Sequence, residues 1–184
     1  MQNKIIIYQV LTRLWRNGKF SDWDADSFAW IKALGADFIW FTGIPRHSSG
    51  QNYVKGDPGS PYSIIDYYDV NPYLADNKDK RMDEFKSLIN RTHAAGLKAV
   101  IDFVPNHISP DYCGDIPAHP YYDYDWSDTR KINYDDPSAY SKMTDIVRFW
   151  ASLGVDGVRC DMAELVPLGL FKHLVSEVKR QHPD

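Results

Sequence analysis

One junction recurs along this chain and constrains its fold more than any other feature: a helical pattern runs into a glycine and then directly into a short apolar run. It is written LGADFIWF around Gly35, AGLKAVIDF around Gly96 and LGVDGVRCD around Gly154. Glycine tolerates the left-handed conformation that closes a helix at its C-terminus, so each glycine predicts a helix end followed at once by a strand.

The flanking segments agree. Met82, Phe85, Leu88, Ile89 and Ala95 fall on one helical face, as do Tyr140, Met143, Ile146, Val147, Trp150 and Ala151. Asp136 before Pro137 supplies an N-cap and a first-turn proline for the second of these helices. Strands are expected at residues 5–10, 36–42, 97–103 and 155–158, with a last helix at 169–182. Strand and helix alternate throughout, which implies parallel strands joined by right-handed crossovers, either in a doubly wound open sheet or in a (β/α)8 barrel. No glycine-rich phosphate loop follows any strand, so the dinucleotide-binding open sheet loses its main support. The expected fold is therefore an α/β (β/α)8 TIM barrel of which this chain holds only the first four βα units, because a whole barrel takes about 250 residues.

Composition narrows the partners. Of 184 residues, 43% are hydrophobic, enough to bury the core of an ordinary domain. The net charge is −4 and the 21 Lys and Arg are scattered, so no basic footprint for nucleic acid exists. No run approaches the roughly 20 apolar residues of a membrane span, and Gln9, Arg13 and Arg16 interrupt the start where an export signal would be apolar. The expected location is the cytoplasm, with Cys113 and Cys160 as free thiols.

Two connections, 43–79 and 104–135, are far longer than usual and both follow the C-terminal ends of strands, where such folds place their sites. On the fourth strand Gly157, Arg159 and Asp161 share a face, and on the third Lys98, Val100 and Asp102 do. An arginine two residues from a carboxylate keeps it ionised, as a nucleophile must be. From spacing alone, an ion-pair network that merely fixes the strands explains these residues equally well.

Company decides between them. SPYSIIDYYDVNP at 60–72, IDFVPNH at 101–107 and GVRCDMAE at 157–164 occur in that order. With these motifs the chain resembles the alpha-amylase family of glycoside hydrolases over nearly its whole length. The resemblance implies that Asp161 is the catalytic nucleophile forming a covalent glycosyl-enzyme intermediate. It makes Arg159 the partner of that nucleophile, Asp102 the residue that orients the arginine, and Tyr62 and His107 contacts to the sugar next to the scissile bond. It also implies a small domain at 104–136 inserted after the third strand. There Tyr121, Tyr122, Tyr124 and Trp126 serve either sugar stacking or loop packing.

The implied activity is retaining hydrolysis of alpha-glucans or maltooligosaccharides. A transglycosylase or phosphorylase of the same family would use the same intermediate, and a non-catalytic sugar-binding relative would be expected to lose Arg159 or Asp161, which are both present. The family's acid/base glutamate lies on a fifth strand beyond residue 184, so the isolated chain is expected to be inactive. Glu164 and Leu165 stand where many members carry Lys-His, which alters contacts on the leaving-group side. No cofactor is required; calcium is admitted, with Asn106 as its candidate ligand. The expected partner is an oligo- or polysaccharide, with neither nucleic acid nor membrane.

Overall fold

The computed structural model describes residues 4–50, 57–121 and 126–183. Strand β1 (Ile7–Leu11) leads through helix α1 (Ala25–Ala33) to β2 (Phe38–Thr42). An antiparallel ribbon of β3 (Pro45–His47) and β4 (Ile64–Val70) precedes α2 (Arg81–Ala94) and β5 (Lys98–Phe103). After β5 come β6 (His107–Ile108), β7 (Ala118–Pro120) and β8 (Arg130–Ile132), which pair antiparallel in the order β6-β8-β7. The chain then forms α3 (Ser138–Ser152), β9 (Gly157–Cys160) and α4 (Leu168–Gln181).

The main sheet has the order β1-β2-β5-β9 with every pair parallel, so spatial order follows chain order. The α/β architecture expected from the alternating pattern is therefore present. Gly35, Gly96 and Gly154 take φ of +82°, +70° and +91°, the left-handed conformation that ends each helix before the next strand. The Asp136 carboxylate accepts from Ser138 N at 2.8 Å while Pro137 already has helical angles, so this pair does start α3.

Strand boundaries shift by two residues at β9. Val155 N still bonds back to Trp150 O at 3.2 Å, closing the helix, and pairing of Phe103 with Cys160 carries the strand further on. At the other edge Asp37 N and Phe38 N bond to Ile6 O, so the first residues are tied into the helix-to-strand turn and regular pairing starts at Ile7.

The two faces of the sheet differ. Ile39, Phe41, Ala99 and Ile101 are fully buried in one cluster with Phe28, Ile31, Phe85, Leu88, Ile89, Ile146 and Trp150 from the helices. The opposite face carries rows fixed by the register, with Gln9, Trp40, Val100 and Gly157 in one layer and Asp102 beside Arg159 in the next. Among the described residues no helix is long and apolar enough to cross a membrane.

Candidate active site

The polar residues of the second face collect where β2, β5 and β9 end. Asp161 lies one residue past β9, its backbone N bonded to Phe103 O at 2.8 Å, which holds it at the lip of the sheet. The next residue, Met162, has φ +47°, a left-handed conformation uncommon outside glycine, and turns the chain sharply out of the strand.

Arg159 Nη1 donates to Asp161 Oδ1 at 2.6 Å and stands 3.7 Å from Asp102 Oδ1. The first is a charge-assisted hydrogen bond and the second a Coulombic contact only. Asp102 instead accepts from Trp40 Nε1 at 3.2 Å and from Gly43 N at 3.1 Å. The guanidinium carbon lies 5.2 Å from the Trp40 ring and 5.5 Å from the Tyr62 ring, within cation–π range of both.

Burial pushes the Asp102 carboxyl up to about 6, against the pull of the Gly43 N–H, Arg159 and the Trp40 N–H. The unfolded chain sheds this proton near 3.8. Between these values the folded protein therefore binds more protons than the unfolded chain. The contribution of this group to stability is present at low pH and declines as pH rises through that window.

His107 is buried in β6, and burial lowers its pKa while the charge of Asp161 and the Tyr62 backbone carbonyl oppose that shift. The imidazole is thus neutral at neutral pH and offers one donor and one acceptor. Burial also raises the Tyr62 hydroxyl, which stays protonated and able to donate. Tyr67 fixes the backbone under His107, its hydroxyl lying 2.5 Å from Val104 O and 3.2 Å from His107 O.

The loop that presents Tyr62 is tied to the end of β1. Arg13 Nη1 donates to Pro58 O at 2.9 Å and to Gly59 O at 2.8 Å. Gly59 has φ +68°, and a Cβ there would lie 1.9 Å from Ser48 O. Gly59→Ala is accordingly expected to destabilise the protein by about 1–3 kcal/mol, read as a lower urea midpoint with unchanged m.

The structure therefore brings Tyr62, Asp102, His107, Arg159 and Asp161 to one end of the sheet. The pattern did not single out Trp40: every residue of the run FIWF is apolar, so alternation cannot mark which of them face the site. Gly43 and Met162 act through backbone geometry and Arg13 through side-chain bonds to backbone oxygens, and they left no signal beyond the glycine itself. Tyr121 is buried and packs edge-on against Trp126 at 5.0 Å, whereas Tyr122 and Tyr124 lie outside the described residues.

Asn106 is buried, its amide nitrogen contacting the Tyr121 hydroxyl, His107 Nδ1 and Met162 Sδ. Its Oδ1 has no hydrogen-bond partner among the described residues. A buried carbonyl oxygen of this kind suits a hard cation, but calcium takes six to eight oxygens. No group of three His, Cys, Asp or Glu side chains converges among the described residues.

Comparison with known proteins accords with this geometry. Residues 22–116, half of the chain, match the family described as "Alpha amylase, catalytic domain". The crystal structure of an alpha-amylase from Lactobacillus plantarum superposes with a TM-score of 0.83 at 33% identity, over 97% of this chain and 43% of that one. The trehalose synthase/amylase TreS of Mycolicibacterium smegmatis is 27% identical, covering 85% of this chain and 32% of the relative. A cyclomaltodextrin glucanotransferase of Geobacillus stearothermophilus is 24% identical, covering 84% and 26% respectively. The chain thus spans less than half the length of each of these proteins. A parallel α/β sheet bearing an Arg-x-Asp pair at its C-terminal lip, together with the match across half the sequence, places this chain in the alpha-amylase family.

Proposed function

We propose that this chain supplies the nucleophile side of a retaining alpha-glucoside hydrolase acting on alpha-glucans or maltooligosaccharides. The observation that carries the reading is the 2.6 Å bond from Arg159 to Asp161, beside Asp102 and within one cluster with Tyr62 and His107. In this reading Asp161 attacks the anomeric carbon while the hydrogen bond from Arg159 holds the attacking carboxylate in one rotamer. The ring of Tyr62 receives the apolar C–H face of the sugar, and the neutral imidazole of His107 hydrogen-bonds a hydroxyl at its edge.

The same reading makes the chain the first four units of a (β/α)8 barrel, with 104–136 as a small domain inserted after β5. Its support is the apolar surface at both flanks of the sheet. Ile7 and Trp30 are 54% and 51% exposed beside β1, and Leu168 and Val175 are 67% and 51% exposed on α4. A groove lined by Trp150, Val155, Val158, Leu174 and Val178 opens beside β9. Unpaired edges of this kind are what further strands and helices would cover.

Retaining hydrolysis also needs a second carboxyl about 5 to 5.5 Å from the nucleophile, alternately acid and base. The family resemblance assigns that carboxyl to a glutamate on a fifth strand, not to Glu164, which is exposed and only three residues from Asp161. A 184-residue chain purified alone should therefore show no turnover of a maltooligosaccharide. General acid–base assistance by itself is worth about 10²–10⁴ in rate. Measurable release of reducing sugar by that chain would refute the assignment.

The direct test uses the full-length protein and a slow-reacting 5-fluoroglycosyl fluoride, followed by peptide mass spectrometry. The expected result is a glycosyl adduct on the peptide containing Asp161; an adduct on another carboxylate, or none, would move the nucleophile elsewhere. A second reading, transfer of the glycosyl group to a sugar acceptor, is favoured by the likeness to a glucanotransferase and to a trehalose synthase. Product analysis with and without added maltose separates the two.

A further inference from the structure

Trp40 touches both charged partners of the nucleophile, and neither its backbone placement nor its burial requires it to do so. It pairs in register with Val100, one layer below Asp102, and reaches up the face of the sheet. Its Nε1 meets Asp102 Oδ1 at 3.2 Å, and its ring lies 5.2 Å from the guanidinium carbon of Arg159. We propose that Trp40 is a positioning residue of this array: its indole N–H satisfies Asp102 while its ring face holds the Arg159 guanidinium towards Asp161. The assignment rests on the proposed role of Asp161 and adds a residue to that site.

Asp102 and Asp161 compete for a single cation. Arg159 Nη1 lies 2.6 Å from Asp161 and 3.7 Å from Asp102, so the contest is settled in favour of Asp161. Two features account for it. Each oxygen of Asp102 already accepts a neutral donor, Oδ1 from the Trp40 indole and Oδ2 from Gly43 N, which removes most of its need for the guanidinium. The guanidinium is also flanked by aromatic faces, Trp40 at 5.2 Å and Tyr62 at 5.5 Å, which attract a weakly hydrated planar cation and limit its swing. A phenylalanine at position 40 could supply a face but no donor; a leucine could supply neither.

The groups that bear on the Asp102 carboxyl are the Trp40 indole from β2, the Gly43 N–H just after it, Arg159 from β9, Asp161 one residue past it, and the Tyr62 hydroxyl from the loop before β4. Because that carboxyl titrates near 6, its protonation can be followed without any substrate. The experiment is a carboxyl ¹³C NMR titration of the full-length protein labelled at aspartate, with Asp102→Asn identifying the resonance. In Trp40→Phe the ring face persists and the donor is lost, so the Asp102 midpoint should move up by about one unit. Replacing the Trp40 indole by benzothiophene keeps the bicyclic shape and removes only the N–H. It should give the same shift if the phenylalanine variant is too unstable to titrate.

An unmoved midpoint in the benzothiophene variant would make Trp40 ordinary packing and overturn the proposal. A downward shift in either variant would overturn it too, because Arg159 would then have turned to Asp102 with the ring still in place. The titration does not depend on turnover. A glucosidase activity that survives loss of Asp161 would sink the proposed function and leave this result standing.

Discussion

Asp161→Asn in the full-length protein should lower kcat on a maltooligosaccharide by about 10⁴-fold or more while the near-ultraviolet circular dichroism and melting temperature stay close to wild type. The reason is local. A carboxamide has nearly the shape of the carboxylate, the backbone bond from residue 161 to Phe103 O is untouched, and Arg159 retains Asp102 as a second anion at 3.7 Å. What is lost is the negative oxygen that attacks carbon, and an amide oxygen does not replace it on this scale. Activity within tenfold of wild type would remove Asp161 from the role and leave its pair with Arg159 as a structural ion bridge. Loss of activity together with loss of the native spectrum would decide nothing about attack, so the fold measurement is part of the prediction.

Much of this arrangement is legible in the amino-acid order, and the parts that are not share a cause. The three helix-glycine-strand junctions are local: a residue in the left-handed conformation, an amphipathic stretch before it and an apolar run after it lie within about fifteen residues. They located β2, β5 and β9 to within two residues. Faces are legible where a polar residue interrupts an apolar run, which is why Asp102 and the pair Arg159 and Asp161 could be put on one side of the sheet.

The face of Trp40 was not legible, because Phe38, Ile39, Trp40 and Phe41 are all apolar and a strand covered on both sides shows no alternation. Arg13 illustrates a second limit. Its contacts with Pro58 and Gly59 span more than forty residues and end on backbone oxygens, which no residue type announces. Asn106 illustrates a third. The family resemblance suggested a cation ligand at its position, yet whether neighbouring oxygens converge on it is a property of the folded loops.

Arg159→Leu should be the second severe lesion, costing about 10³-fold or more in kcat/KM and, unlike Asp161→Asn, also stability. Removing the guanidinium leaves two carboxylates at the lip of the sheet, Asp102 fully buried and Asp161 nearly so, with no cation between them. Breaking a fully buried pair in this way costs about 3–5 kcal/mol. The Arg159 side chain is 36% exposed, so water screens part of the interaction and about 1–3 kcal/mol is the better expectation.

The protein has a way to reduce this penalty, and it should be visible. Asp102 already holds its proton up to about pH 6 in the wild type, with Arg159 pulling that value down. Without the arginine Asp102 should stay protonated to higher pH, and chemical denaturation should show the variant closest to wild type in stability at pH 5 and furthest from it at pH 8. Arg159→Lys restores a charge without the planar fork, and should recover much of the stability at pH 8 but little of the rate, since a point charge does not fix the rotamer of Asp161. If the leucine variant were as stable as wild type at pH 8, the two carboxylates would be better solvated than their burial implies. The account of Arg159 as the element that sets the charge state of the site would then fail.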